Sequence, residues 1–171
     1  MAASELRGPH IVVMGAMGVG KTTTGRALAD ALGWGYVDSD DGVQHVAGMS
    51  GRAYAERHGV PALHKLEAEV LVDALGLDTP LVISAAASTI EAVEVRHRLR
   101  ERALIVRLTL PIEDTIGRQA AGHHRRAMTI DEHTLLTERR EPLFESIEDL
   151  RLDARGSTDE LVDEIRLYLD L

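Results

Sequence analysis

The chain has no cysteine. Disulfides, thiolate catalysis and cysteine-ligated zinc are therefore excluded, although this absence alone identifies no compartment. A surplus of positive charge is also missing: 28 acidic residues stand against 19 Lys and Arg, for a formal net charge of −9. A nucleic-acid partner is disfavoured, because such a surface needs a basic patch to neutralise phosphates. Long hydrophobic runs are lacking too. The apolar stretches are strand-sized, and the opening MAASELRGPH holds no apolar segment of signal-peptide length, so a cytoplasmic protein without membrane contact is expected. No HExxH-like pair occurs among the eight histidines, and no N-K-x-D-like segment is present to read guanine. Linkers, repeats and low-complexity tracts are absent, and 171 residues make one domain by length, 1–171, large enough for a sizeable core.

What is present starts with Gly15 to Thr22, GAMGVGKT, which satisfies G-x-x-x-x-G-K-S/T at every fixed position. An apolar run, HIVVM at 10 to 14, enters the motif, and a helix-forming stretch, TTTGRALADAL, leaves it. The glycines let successive backbone N–H groups turn toward one anion, the helix adds the positive end of its dipole, and Lys21 reaches the terminal phosphates. Thr22 offers its hydroxyl to Mg²⁺. The candidate nucleotide contacts are thus Gly15, Ala16, Met17, Gly18, Val19, Gly20, Lys21, Thr22 and Thr23. Without a guanine-reading segment, ATP is the expected nucleotide.

Five apolar runs alternate with helix-like segments: HIVVM, GYVD at 35 to 38, LVISA at 81 to 85, ALIVRLT at 103 to 109 and LRLDA at 150 to 154. That alternation predicts an α/β fold, a five-stranded parallel sheet with flanking helices. Gly33 marks the end of the first helix, Pro61 the start of another and Gly76 its close. Ser88 with Glu91, Thr129 with Glu132, and Ser157 with Glu160 have capping-box spacing. Leu161, Val162, Ile165, Tyr168 and Leu169 form an apolar stripe suited to core packing. The segment QAAGHHRRAMTI, 119 to 130, is loop-like and gathers Arg125 and Arg126 beside His123 and His124. In a phosphate-binding protein such a loop reads as a lid over the nucleotide, expected at about 119–131.

The second strand ends in Asp38-Ser39-Asp40-Asp41, where parallel sheets place ligands. Two residues apart, Asp38 and Asp40 share a face in an extended segment, so one can support Mg²⁺ through water while the other accepts a proton from a substrate hydroxyl. An acidic turn in which Asp40 or Asp41 caps the next helix is the plainer alternative.

With this DSD after the second strand, the chain resembles the shikimate kinase family of small P-loop kinases nearly end to end. HGVPALHKLEAEVL, 58 to 71, is similar to the family's D-G-E-x-x-F-R-x-x-E segment, and Arg139-Arg140-Glu141-Pro142-Leu143-Phe144 to its R-x-P-L-Y segment. The resemblance implies a P-loop kinase fold with an acceptor-binding helical insertion at about 41–75, ATP and Mg²⁺, and a small-molecule acceptor. It assigns Asp38 to Mg²⁺, Asp40 to the acceptor as base, Arg140 to the acceptor's carboxylate or hydroxyls, and Arg118 to stacking by adenine. Arg155 would lie near the base, and Arg125, or Arg126 in its place, would face the phosphates as the lid arginine.

Two departures fall on the acceptor side. The family's carboxylate-clamping Arg aligns with His64, although Glu67 is retained, and imidazole cannot reproduce a guanidinium fork. The family's Gly-Gly-Gly aligns with Ala85, Ala86 and Ala87, whose methyl groups occupy space that glycine leaves to substrate. The expected function is Mg²⁺-dependent transfer of the ATP γ-phosphate to a hydroxyl of a small polar metabolite, shikimate or a related cyclitol or polyol acid. Lys21, Asp40 and Arg125 are the expected catalytic groups. A nucleotide-binding regulator or degenerate kinase that has lost its acceptor is the alternative.

Overall fold

Val, Ile and Leu crowd the strand runs because a parallel sheet is buried on both faces. The computed structural model, which describes residues 8–121 and 129–170, contains β1 His10–Gly15, β2 Gly35–Asp38, β3 Leu81–Ser84, β4 Ala103–Thr109 and β5 Leu150–Asp153. They pair in parallel throughout, in the order β2-β3-β1-β4-β5. From β1 the chain crosses to one edge of the sheet, whereas from β4 it proceeds to the other. The carboxyl end of β1 therefore lies where open α/β sheets bind ligands.

Alternation along β1 divides the core. Ile11 and Val13 pack with residues of α1 Lys21–Leu32 and α8 Thr158–Tyr168, while Val12 and Met14 pack with residues of α4 Val60–Leu75 and α5 Val93–Arg102 and with Phe144 of α7 Ile130–Glu145. Leu161, Val162, Ile165 and Leu169 form the buried stripe expected of the last helix. Gly33 closes α1 in the left-handed region at φ 66°. Pro61 sits in the first turn of α4, and Gly76 caps that helix in right-handed geometry.

Three local expectations change. The insertion resolves into α2 Ser39–Ala47, α3 Gly51–His58 and α4, and it starts at Ser39 because Asp38 is the N-cap. The capping boxes Thr129/Glu132 and Ser157/Glu160 form, but Ser88/Glu91 does not. There the chain makes only a 3-10 helix, Ala87–Glu91, and the Ser88 hydroxyl is drawn instead to the buried Glu67 carboxylate. Finally, residues 119–121 complete α6 Ile112–Ala121 and Ile130 opens α7, so neither end of the expected lid is a loop. His123, His124, Arg125 and Arg126 lie outside the described residues. Among the described residues no helix is long and apolar enough to cross a membrane.

Candidate active site

The phosphate loop joins β1 to α1 through backbone that only glycine accommodates. Gly15 holds φ 143°, and a Cβ there would lie 2.3 Å from the Leu108 carbonyl oxygen. Gly20, at φ 104°, begins α1 with no side-chain cap and no acid in the first turn. The first N–H groups of α1 are thus left for an anion rather than for a neighbouring side chain. Lys21 donates from Nζ to the carbonyls of Gly15 and Ala16, each at 3.0 Å, which folds its ammonium over the loop. Val19 is buried in the core, so it offers the site only backbone, whereas Gly18, Thr22 and Thr23 are exposed.

Beside the loop, three donors converge on Asp38, which is only 8% exposed. Thr22 Oγ1 donates to its Oδ2 at 2.8 Å, Tyr36 donates to the same oxygen at 2.8 Å, and the Asp40 N–H donates to Oδ1 at 2.9 Å. Burial, reinforced by the adjacent Asp38 carboxylate, pushes the Tyr36 phenol up to about 12, which keeps it a donor. Tyr36 also lies 2.9 Å from Ser84 Oγ, and Ser84 in turn donates to the Lys21 carbonyl. Gly25 permits this crowding, since a Cβ there would approach Ser84 Oγ to 2.6 Å. The expectation that Asp38 and Asp40 share an extended face is corrected. The strand stops at Asp38, and Asp40 is an exposed residue in the first turn of α2. Asp38, not Asp40 or Asp41, is the cap.

These groups fit a magnesium ion. Thr22 and Asp38 present hard oxygen donors 2.8 Å apart, and Asp38 is held only by neutral donors among the described residues. Among the described residues no group of three or more His, Cys, Asp or Glu is placed to hold a metal ion. Mg²⁺ suits such a sparse set, because it takes one or two protein ligands with phosphate and water supplying the rest.

The residues expected on the acceptor side gather around the 3-10 helix. Ser39 Oγ donates to the Ser84 carbonyl at 2.9 Å and accepts from the Ala86 N–H at 3.1 Å, tying the start of this segment to the Asp38–Asp40 turn. Ser88 then donates to Glu67 on α4, and Glu91 accepts from Arg139 and from Arg140 Nε, the latter at 2.7 Å. Burial alone would raise the Glu91 carboxyl, but hydrogen bonds from Arg139 and Arg140 hold it below its ordinary value. His64 is half-buried and borders the same cavity as Ser88 and Glu91. Ala85 does not line the site as expected. It is fully buried in the core layer under α4 and α5, Ala86 is 9% exposed, and only Ala87 is half-buried.

On the opposite flank Arg118 bridges two loops, donating to the Val19 and Ala154 carbonyls at 3.2 Å each. Arg155 pairs with Asp153, and both arginines line one cavity of about 480 Å³ beside the phosphate loop. The structure thus brings together the loop, Asp38 and the two flanking arginines that the sequence singles out. The sequence alone missed Tyr36, Ser84, Ser39 and Glu91. Tyr36 alone had a local signal, being two residues before Asp38 and so on its face of β2.

Residues 17–170 match the model of the family described as shikimate kinase. The chain belongs to the shikimate kinase family. A shikimate kinase of Francisella tularensis subsp. novicida (strain U112) is 28% identical over 169 residues, covering 96% of each chain. The shikimate kinase of Acinetobacter baumannii, solved in complex with shikimate, matches with a TM-score of 0.88 and 27% identity over 95% of this chain and 94% of that one. That of Aquifex aeolicus matches at 0.83 and 28% identity, over 94% and 96% respectively. Like the other shikimate kinase family members, this chain is an ATP-dependent small-molecule kinase with the P-loop kinase fold.

Proposed function

We propose that the protein transfers the γ-phosphate of MgATP to a hydroxyl of a shikimate-like polyhydroxylated metabolite. The observation that carries this reading is the Thr22–Asp38 pair, 2.8 Å apart beside an uncapped α1 N-terminus, with the Asp40 N–H on the same carboxylate. Thr22 and Asp38 would hold Mg²⁺, which when bound neutralises charge on the β- and γ-phosphates. Lys21 swings from the Gly15 and Ala16 carbonyls onto the terminal phosphate, while Arg118 and Arg155 flank the base. Asp40, exposed and anchored through its N–H to Asp38, orients the acceptor hydroxyl and accepts its proton. Arg140 donates to the acceptor, and Arg125, outside the described residues, serves as the lid arginine.

Acceptor-dependent ADP release over a panel of shikimate, cyclitols and sugar acids tests the reaction. Turnover with at least one member is expected, and Lys21→Ala should lower kcat/KM about a hundredfold or more by removing a cation from the transferring group. MgATP binding without turnover on any acceptor would favour a nucleotide-binding regulator instead.

A further inference from the structure

We propose that the acceptor of this kinase is uncharged, a polyhydroxylated ring or chain without a carboxylate, because Glu91 already neutralises the cations on the acceptor side. The inference rests on the reading of Arg140 as an acceptor contact. Glu91 ends the 3-10 helix and uses both carboxylate oxygens, Oε1 on Arg140 Nε at 2.7 Å and Oε2 on Arg139. The Arg140 side chain is 13% exposed and that of Glu91 27%, so little water screens the pair. An incoming carboxylate must displace Glu91 from two guanidinium groups or share Arg140 with it, which sets two like charges on one partly buried guanidinium.

No other described group on this side compensates. His64 brings neither the fixed charge nor the fork of a guanidinium. Glu67 is a buried acid on α4 to which Ser88 donates, so it adds no positive charge. The cavity of about 470 Å³ bordered by His64 and Ser88 is lined by Glu69, Asp73, Glu91 and Glu94 against Lys65, which is itself 3.8 Å from Glu69. The charged lining of this cavity is therefore negative on balance. Arg140 nevertheless keeps donors, since among the described residues only its Nε is engaged. Its two Nη groups can serve hydroxyl oxygens, which ask for a donor and not for net charge. An ammonium finds no acceptor on the free Nη groups of Arg140, which only donate.

Three ligands that share one ring separate charge from shape: shikimate, its methyl ester, and the analogue with a hydroxymethyl group in place of the carboxylate. Calorimetry in the presence of ADP and steady-state kinetics with ATP would be run on the full chain. The uncharged pair should bind at least tenfold tighter than shikimate and have the higher kcat/KM. E91Q should shift the ratio toward shikimate by at least tenfold. Wild-type protein that binds shikimate more tightly than both uncharged ligands overturns the inference while leaving the kinase reading intact, and it does so whether or not the variant folds. Binding of none of the three overturns the assignment of Arg140 and the inference together.

Discussion

At Asp38 a single carboxylate accepts from Thr22, Tyr36 and the Asp40 backbone, so its orientation is fixed before any ion arrives. If Thr22 gave its hydroxyl to Mg²⁺, Tyr36 would be the side chain left to hold Oδ2 in place. Groups that orient metal ligands typically change metal affinity about 10–100-fold when removed. Tyr36→Phe should accordingly raise the Mg²⁺ concentration needed for half-maximal ADP binding about tenfold, read by calorimetry across a Mg²⁺ series. An unchanged Mg²⁺ requirement would make the phenol merely a packing group. Asp38→Asn should also raise the Mg²⁺ requirement, whereas Asp40→Asn should reduce turnover with nucleotide binding retained; equal, purely metal-dependent losses would contradict that division. The Tyr36 partnership was half-legible. Strand period places Tyr36 and Asp38 on one face, but Ser84 joins them only through the β2–β3 register that pairs it with Asp38, 46 positions away in sequence. Glu91 was misread for a related reason: its spacing from Ser88 fits a capping box, while its true partners are on α7.

Among the elements, the connection from β3 into the 3-10 helix serves the core at one end and borders the proposed acceptor site at the other. Ala85 packs under α4 and α5, so Ala85→Gly removes a core methyl and adds backbone freedom, at about 1–2 kcal/mol of stability. Ala87, half-buried next to the Ser39–Ala86 hydrogen bond, should behave oppositely: Ala87→Gly should change acceptor KM more than thermal stability. Denaturant unfolding beside acceptor kinetics separates the two variants, and an acceptor effect confined to Ala85 would reverse the assignment. The placement of α7 depends on a second buried contact. Arg107 on β4 is 7% exposed at its side chain, pairs with Glu141 and with Glu148 at 3.2 Å, and lies over the Phe144 ring. Arg107→Met leaves those carboxylates without this partner, which should cost about 2–3 kcal/mol even with Glu141 partly in water. The element boundaries themselves were legible where the signal is local, as in the five apolar runs, Gly33, Pro61 and two of three capping boxes. The ionic contacts between β4 and α7 were not, because no short-range pattern announces that Arg107 meets Glu141.

On the scale of the molecule, local signals supplied the strands and the phosphate loop, while the strand order and the meeting of α4, the 3-10 helix and α7 needed the folded chain. One consequence of that assembly is that two histidines become enclosed. His10 accepts burial at the head of β1, with Nε2 2.9 Å from the Leu77 carbonyl, and His133 on α7 has Nε2 buried without a hydrogen-bond partner among the described residues. Burial is the largest cause holding both below the ordinary 6.5, with Arg140 adding repulsion at His133. The unfolded chain therefore binds protons at these positions more readily than the folded one, and stability falls as pH drops through about 6.5. Glu91 and Glu141 act lower down: their carboxyls are held below 4.5 in the folded chain, so their contribution is lost only as pH falls beneath that value. Thermal unfolding from pH 7.5 to 4 should accordingly show two stages of decline. Relief of self-repulsion in a chain of net charge −9 opposes the first stage, so the decisive comparison is with His133→Phe, which removes one titrating group and keeps a ring in the site. The variant should lose less of its melting temperature than the wild type between pH 7 and 5. Parallel curves over that interval would show that His133 takes no part in the acid response.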